Sequence, residues 1–177
     1  MTFIDRLTSP DINNNKSPCI VGIQKCGQST LAVWLRKYYD NVLKNEILHK
    51  IPPSIGTETF AKLADTHFPV IIIRDRPTVI LSRYYNWFIK TLTFKQFLHH
   101  NYKSVNPLYQ TNYSSLIEPW LKYSPYILCL EEVRKHPGFG HINHTIRSGY
   151  PRPVKPKELA LIQEALSVYN PALLKDR

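Results

Sequence analysis

No stretch of this 177-residue chain approaches the ~20 consecutive apolar residues that span a bilayer. Residues 1–18 hold Asp5, Arg6, Asp11 and Lys16 without an apolar core, which excludes a secretory signal there. Residues 1–17 read as an N-terminal lead-in that is free to be flexible. Cysteine is scarce and odd in number: Cys19, Cys26 and Cys129. Two of the three sit in apolar, strand-like runs, so they read as reduced thiols of a cytoplasmic protein and not as a disulfide framework or zinc site. Carboxylates are also short, with 13 Asp and Glu against 23 Lys and Arg for a net charge of +10. That balance suits a polyanionic ligand. Residues 134–157 carry six Lys or Arg, three His and no carboxylate, although a solvated basic face explains such a run equally well. Aromatic–glycine RNA signatures and helix-turn-helix spacing are missing, which argues against nucleic acid. There are no repeats.

What is present alternates between short apolar runs and helical periodicity. Cys19-Ile20-Val21-Gly22-Ile23 reads as a buried strand, followed by a turn. Leu31, Trp34, Leu35, Tyr38 and Val42 then follow helical spacing. A second strand is expected over 46–51, ending at Pro52. Val70-Ile71-Ile72-Ile73 is continuously β-branched, as in a strand buried on both faces of a parallel sheet. Pro77 suits the first turn of a helix reaching about Lys90. A strand over 126–130 precedes Glu131-Glu132, and a last helix from about Pro156 is expected to bury Leu159, Ile162, Leu166 and Tyr169. The whole reads as one α/β domain over 1–177, a three-layer sandwich around a mostly parallel sheet with a P-loop-like strand-turn-helix. Ligands of such folds bind at the carboxyl ends of the strands, where residues 24–30 and 74–82 begin.

From Gly22 to Ser29 the glycine spacing is that of a nucleoside-triphosphate loop, in which backbone N–H groups and a helix N-terminus converge on phosphate oxygens. The usual pattern needs Lys where this chain has Gln28; its lysine, Lys25, lies inside the loop. The 70–75 segment also lacks an apolar strand ending in Asp, because Arg74 precedes Asp75. Both departures disfavour a triphosphate kinase. A tight turn carrying an exposed lysine is the plainer alternative.

Gln24-Lys25-Cys26-Gly27-Gln28-Ser29-Thr30-Leu31 resembles the 5′-phosphosulfate loop of sulfotransferases that use 3′-phosphoadenosine 5′-phosphosulfate (PAPS). The family's second mark is a strand-end arginine with a serine eight residues later, and Arg74 and Ser82 reproduce it. Forked guanidinium and hydroxyl together suit a dianionic 3′-phosphate. Arg74 could instead pair with Asp75 or Glu131, and Ser82 could turn to its own backbone. Segments 93–98, 113–121 and 126–137 echo further family helices and a strand. Arg147-Ser148-Gly149-Tyr150-Pro151 is similar to the lid of glycan sulfotransferases, putting Arg147 near the 3′-phosphate and Tyr150 beside the nucleotide. Gly138-Phe139-Gly140 is a competing lid.

The resemblance implies in-line displacement at sulfur without a metal, moving a sulfuryl group from PAPS to an acceptor hydroxyl or amine. The resemblance leaves the acceptor open among a glycan, a small alcohol or phenol, and a lipid. Lys25 is expected to stabilise the bridging oxygen, while Cys26, Gly27, Gln28, Ser29 and Thr30 hold the 5′-phosphate through backbone N–H groups and side chains. The base is expected at the end of the second strand. His49 is the first candidate and Glu46 the second, although the alignment with the family is a residue out of step and a strand's side chains alternate faces. Gln28 replaces the loop's usual threonine, and Thr30 stands where one branch stacks a tryptophan on adenine. Two alternatives stay open: a P-loop kinase-like enzyme, and a non-catalytic basic module for nucleotides or polyanions.

Overall fold

The computed structural model describes residues 2–22, 25–44, 53–100, 112–136, 139 and 153–169. The chain divides into two compact units, one of Met1–Arg74 with Ser114–Asn143 and one of Asp75–Tyr113 with His144–Arg177.

The first unit begins with α1 (Phe3–Leu7), whose entry is a capping box: Thr2 Oγ1 accepts from Asp5 N, and the Asp5 carboxylate accepts from Thr2 N. A 3-10 turn at Asp11–Asn13 leads into β1 (Ser17–Gly22), and α2 (Gln28–Leu35) and β2 (Leu43–Lys44) follow. Then come α3 (Pro53–Ala61) and β3 (His67–Ile73). The described strands form a four-stranded, all-parallel sheet in the order β2-β1-β3-β4, with β4 at Tyr126–Cys129. This α/β arrangement is compatible with a three-layer sandwich. Its β-branched run is β3, which is central and pairs with β1 from Ser17↔His67 to Gly22↔Ile72. The β3–β4 ladder starts at Val70↔Tyr126, one residue beyond Pro69, so the residue that lacks an N–H sits ahead of it.

Alternation along the strands sorts the core by face. Cys19, Val21 and Ile71 bury against Phe60 of α3 and Trp120 of a 3-10 helix (Glu118–Tyr123), with Phe60 and Trp120 ring centroids 5.4 Å apart. Ile20, Val70, Ile72 and Leu128 are the alternate residues and are equally buried. At Gly22 the two central strands come so close that a Cβ would lie 2.7 Å from the Ile72 carbonyl oxygen. All three cysteines are free thiols, and burial pushes the Cys19 thiol up to about 12.

In the second unit α4 (Arg76–Arg83) is capped by Asp75, whose carboxylate accepts from the Thr78 N–H at 3.1 Å, with Pro77 in the first turn. The helix expected to reach Lys90 changes at Tyr84–Phe88 to a π-helical turn. A capping box of Thr93 and Gln96 starts α5 (Phe94–Leu98). The first unit resumes with α6 (Tyr113–Ile117), which ends in it, and later α7 (Leu130–Val133); the second closes with α8 (Pro156–Tyr169). Ile162, Ala165 and Leu166 of α8 bury against Ile80, Phe97 and Leu98. Leu159 and Tyr169, expected inside, are 38% and 48% exposed. The Tyr169 hydroxyl meets His99 Nδ1 at 2.9 Å, and the two rings pack edge-on. Likewise Tyr38 is 38% exposed, and Val42 is buried although it lies beyond the end of α2. Among the described residues no helix is long and apolar enough to cross a membrane.

His67, at the start of β3, is buried with Nδ1 2.8 Å from Thr66 Oγ1 and Nε2 3.4 Å from Asn41 Nδ2. A neutral imidazole with its proton on Nδ1 satisfies both contacts. Burial lowers its pKa, so the unfolded chain takes up the proton first as pH falls. This contribution is complete above the unfolded value of about 6.5 and is lost as pH drops through the lower folded value. Urea midpoints are therefore expected to fall between pH 7.5 and 5.5, with a flatter profile in His67→Gln. A second expectation concerns strand spacing: Gly22→Ala should lose about 1–3 kcal/mol by overpacking against the Ile72 carbonyl, read by the same denaturation.

Candidate functional site

The strand order makes a switch point. From β1 the chain crosses to β2 on one side, then returns to β3 on the other, so β1 and β3 are neighbours whose following segments diverge. In open parallel sheets the crevice beyond such carboxyl ends is where ligands bind. Here that position is occupied by the β1–α2 turn, by Arg74 directly after β3, and by Glu131 two residues past β4.

The turn is built from two left-handed residues. Lys25 has φ 73° and Gly27 has φ 90°, with fully buried Cys26 between them. Left-handed backbone costs a non-glycine residue about 1–2 kcal/mol, so Lys25 needs an external constraint. Arg74 supplies one, because its Nη1 donates to the Lys25 carbonyl oxygen at 3.2 Å. Gly27 is required twice over: its φ favours glycine, and a Cβ would lie 2.9 Å from the Leu130 side chain. It is the N-cap of α2, whose first intrahelical bond runs from Leu31 N to Gly27 O at 3.0 Å. Helix geometry leaves the first-turn N–H groups of Gln28, Ser29 and Thr30 without an acceptor one turn back. The side chain of Gln28 was expected to offer its amide to a phosphate. It is instead buried and donates to the Gly22 carbonyl oxygen, closing the turn on itself.

Two cations and a carboxylate border this turn besides Lys25. Arg74 is only 9% exposed and forms an ion pair from Nε to Glu131 Oε1 at 3.5 Å, one of the two pairings its position in the sequence allowed. The other Glu131 oxygen accepts from Cys129 Sγ at 3.1 Å. Burial, followed by that hydrogen bond, raises the Cys129 pKa, which keeps the group a thiol and not a nucleophilic thiolate. Lys44, the last residue of β2, donates from Nζ to Ser29 Oγ at 2.8 Å. A second ammonium therefore reaches the first turn of α2. The second strand expected over 46–51 lies outside the described residues; the described Leu43–Lys44, in register with Cys19 and Ile20, brings in Lys44, which no motif indicated.

Lys25, Cys26, Gly27, Gln28, Ser29, Thr30 and Arg74 thus come together at one sheet end. Ser82 belongs to the second unit, where it is buried within α4. Glu46, His49, Arg147 and Tyr150 lie outside the described residues, as do Gly138 and Gly140 of the competing lid. Phe139, between those glycines, packs edge-on against Trp34 of α2 at 5.3 Å and is buried, which gives it a core role. Among the described residues no group of three His, Cys, Asp or Glu is placed to hold a metal. Comparisons with protein-family models, with curated proteins and with solved structures returned no match.

The first-turn N–H groups of α2, the Lys44 ammonium and the Arg74 guanidinium are thus gathered around one turn, a donor-rich and cationic setting of the kind that suits an anion. Gly27→Ala should lower stability by about 2–4 kcal/mol, since no rotamer relieves the backbone conformation. Thermal unfolding with and without pyrophosphate tests this. The variant should also lose any ligand-induced rise in melting temperature.

Proposed function

We propose that the chain is a PAPS-dependent sulfotransferase whose donor site is the β1–α2 turn, and that its fold is a three-layer sandwich of P-loop-like type. The observation that carries the reading is the hydrogen bond between Arg74 and the Lys25 carbonyl. It joins the two sequence segments that resemble the 5′-phosphosulfate loop and the 3′-phosphate motif at one switch point. A kinase-like loop places its lysine one residue before the Ser/Thr, at position 28; here that position is a glutamine turned inward on Gly22.

In this reading the donor supplies an already activated sulfuryl group with a phosphate leaving group. The protein's work is then positioning and offsetting charge. Lys25 faces the bridging oxygen where negative charge develops. The N–H groups and hydroxyls of Ser29 and Thr30 hold the 5′-phosphate, and Lys44, held by Ser29, adds a second positive charge there. Arg74 and Ser82 take the 3′-phosphate, with Arg147 and Tyr150 as the lid. A base at His49 or Glu46 accepts the proton of the acceptor hydroxyl or amine.

Calorimetric titration separates this from the kinase reading. Metal-free binding of 3′-phosphoadenosine 5′-phosphate is expected, tighter than Mg-ATP; the reverse order would overturn the assignment. With a sulfur-35 donor and a panel of phenols, glycans and lipids, Lys25→Ala should cut turnover by about 100-fold or more. In the same assay Arg74→Ala should weaken nucleotide binding by about 10- to 100-fold. Full activity in both variants would redraw the site.

A further inference from the structure

The first unit holds a cavity of about 450 Å³ whose described lining shares no residue with the β1–α2 turn. That size falls in the range of small-molecule sites. Its apolar walls are Phe3 and Ile4 of α1, Ile127 and Leu128 of β4, and Val133 of α7. Cys129 lines it too, so three consecutive strand residues border one space although a strand's side chains alternate faces. A cavity bordered in this way runs along the edge of the strand. One edge of β4 is paired with β3, and β4 is outermost among the described strands, so the cavity follows the outer edge.

The α7 segment stands between this cavity and the turn. Leu130 packs against Gly27 and Glu131 pairs with Arg74, whereas Glu132 and Val133 line the cavity. A molecule in the cavity is therefore across a helical turn from anything held at the β1–α2 turn.

Two properties set the class of ligand. Phe3 and Ile127 are both exposed where they line the cavity, and covering such apolar surface is favourable. Phe3 is held there by its edge-on packing on Tyr126 at 5.2 Å. Charge is the second property. The chain carries a net charge of +10, yet the charged groups lining the cavity are Asp5, Glu132, Lys135 and His136. Two carboxylates against one lysine and one histidine leave no cationic excess for an anion to meet. Asp5 is moreover engaged in the α1 capping box, where its carboxylate accepts from the Thr2 N–H at 2.6 Å.

We infer that the cavity beside β4 is a second ligand-binding site, built for a neutral and mainly apolar small molecule. The inference goes beyond the donor site and does not depend on it.

The test uses the full chain and the neutral fluorophore N-phenyl-1-naphthylamine, whose emission rises on leaving water. One molecule is expected to bind per chain. Ile127→Asp places a charge on the exposed wall and should weaken binding by about tenfold or more. Phe3→Ser, at an exposed position of α1, should weaken it by about three- to tenfold. Val168→Asp, which alters an exposed apolar residue of α8, should leave it unchanged. A readout on the wild type needs no variant to fold: methyl resonances of Ile4, Ile127 and Val133 should move on titration. Pyrophosphate should not displace the fluorophore. Absence of binding, unchanged affinity in both Ile127→Asp and Phe3→Ser, or shifts confined to other methyls overturns the inference. Displacement by pyrophosphate overturns it too, because the fluorophore would then sit at the turn. If the patch instead joins two copies of the chain, sedimentation will show a dimer that Ile127→Asp dissolves, and the small-molecule assignment falls. The donor site is read separately by nucleotide titration, so its failure and this one are distinguishable.

Discussion

A buried guanidinium ties together the carboxyl end of this sheet. Arg74 follows directly on the central strand, reaches back 49 residues to the carbonyl of Lys25, and pairs with a carboxylate beyond the next strand. Three consecutive parallel strands, β1, β3 and β4, therefore end on one side chain. That contact helps hold the left-handed conformation of Lys25 against relaxation. With it, the turn between β1 and α2 takes a defined shape before a ligand is present. The glycines serve the same end: Gly22 lets β1 and β3 approach, and Gly27 lets the chain start α2 beside Leu130.

The elements that could be read from sequence were those whose pattern is set by burial on both faces. The run Val70 to Ile73 has no polar residue to mislead, and it lies inside β3; Cys19 to Gly22 is legible for the same reason, whereas Tyr126 to Cys129 shows itself as an apolar run although Ile127 is 38% exposed. Helix starts marked by proline were equally clear, as Pro77 and Pro156 show. Among the described residues β2 covers only Leu43 and Lys44, too short a run to show a period. Lys44 went unnoticed with it. The contact of Tyr169 with His99 spans seventy residues, which no local pattern contains.

For the site, sequence spacing indicated which residues belong at the sheet end but not how they share their hydrogen bonds. Gln28 illustrates the difference: its identity suggested a donor aimed at a ligand, while packing under Gly22 commits the amide inward. Arg74 illustrates the converse. Its two readings, phosphate ligand and partner of Glu131, looked like alternatives in one dimension. In three dimensions the Glu131 pairing is present, so a phosphate at Arg74 would have to share the cation with that carboxylate.

The N-terminal segment has a consequence of a different kind. Asn13 donates from Nδ2 to the Tyr39 hydroxyl at 2.9 Å and accepts at Oδ1 from the Tyr126 hydroxyl at 2.8 Å, while Tyr39 donates to the Leu7 carbonyl at 2.7 Å. Phe3 packs edge-on against Tyr126 at 5.2 Å. Residues near the beginning of the chain are thus secured by a tyrosine that the ribosome adds 113 positions after Asn13. At about 5–20 residues per second, that partner arrives many seconds later. Tyr39 can engage Leu7 and Asn13 early, but the bond to Tyr126 must wait, and β3 lacks its β4 neighbour throughout the interval.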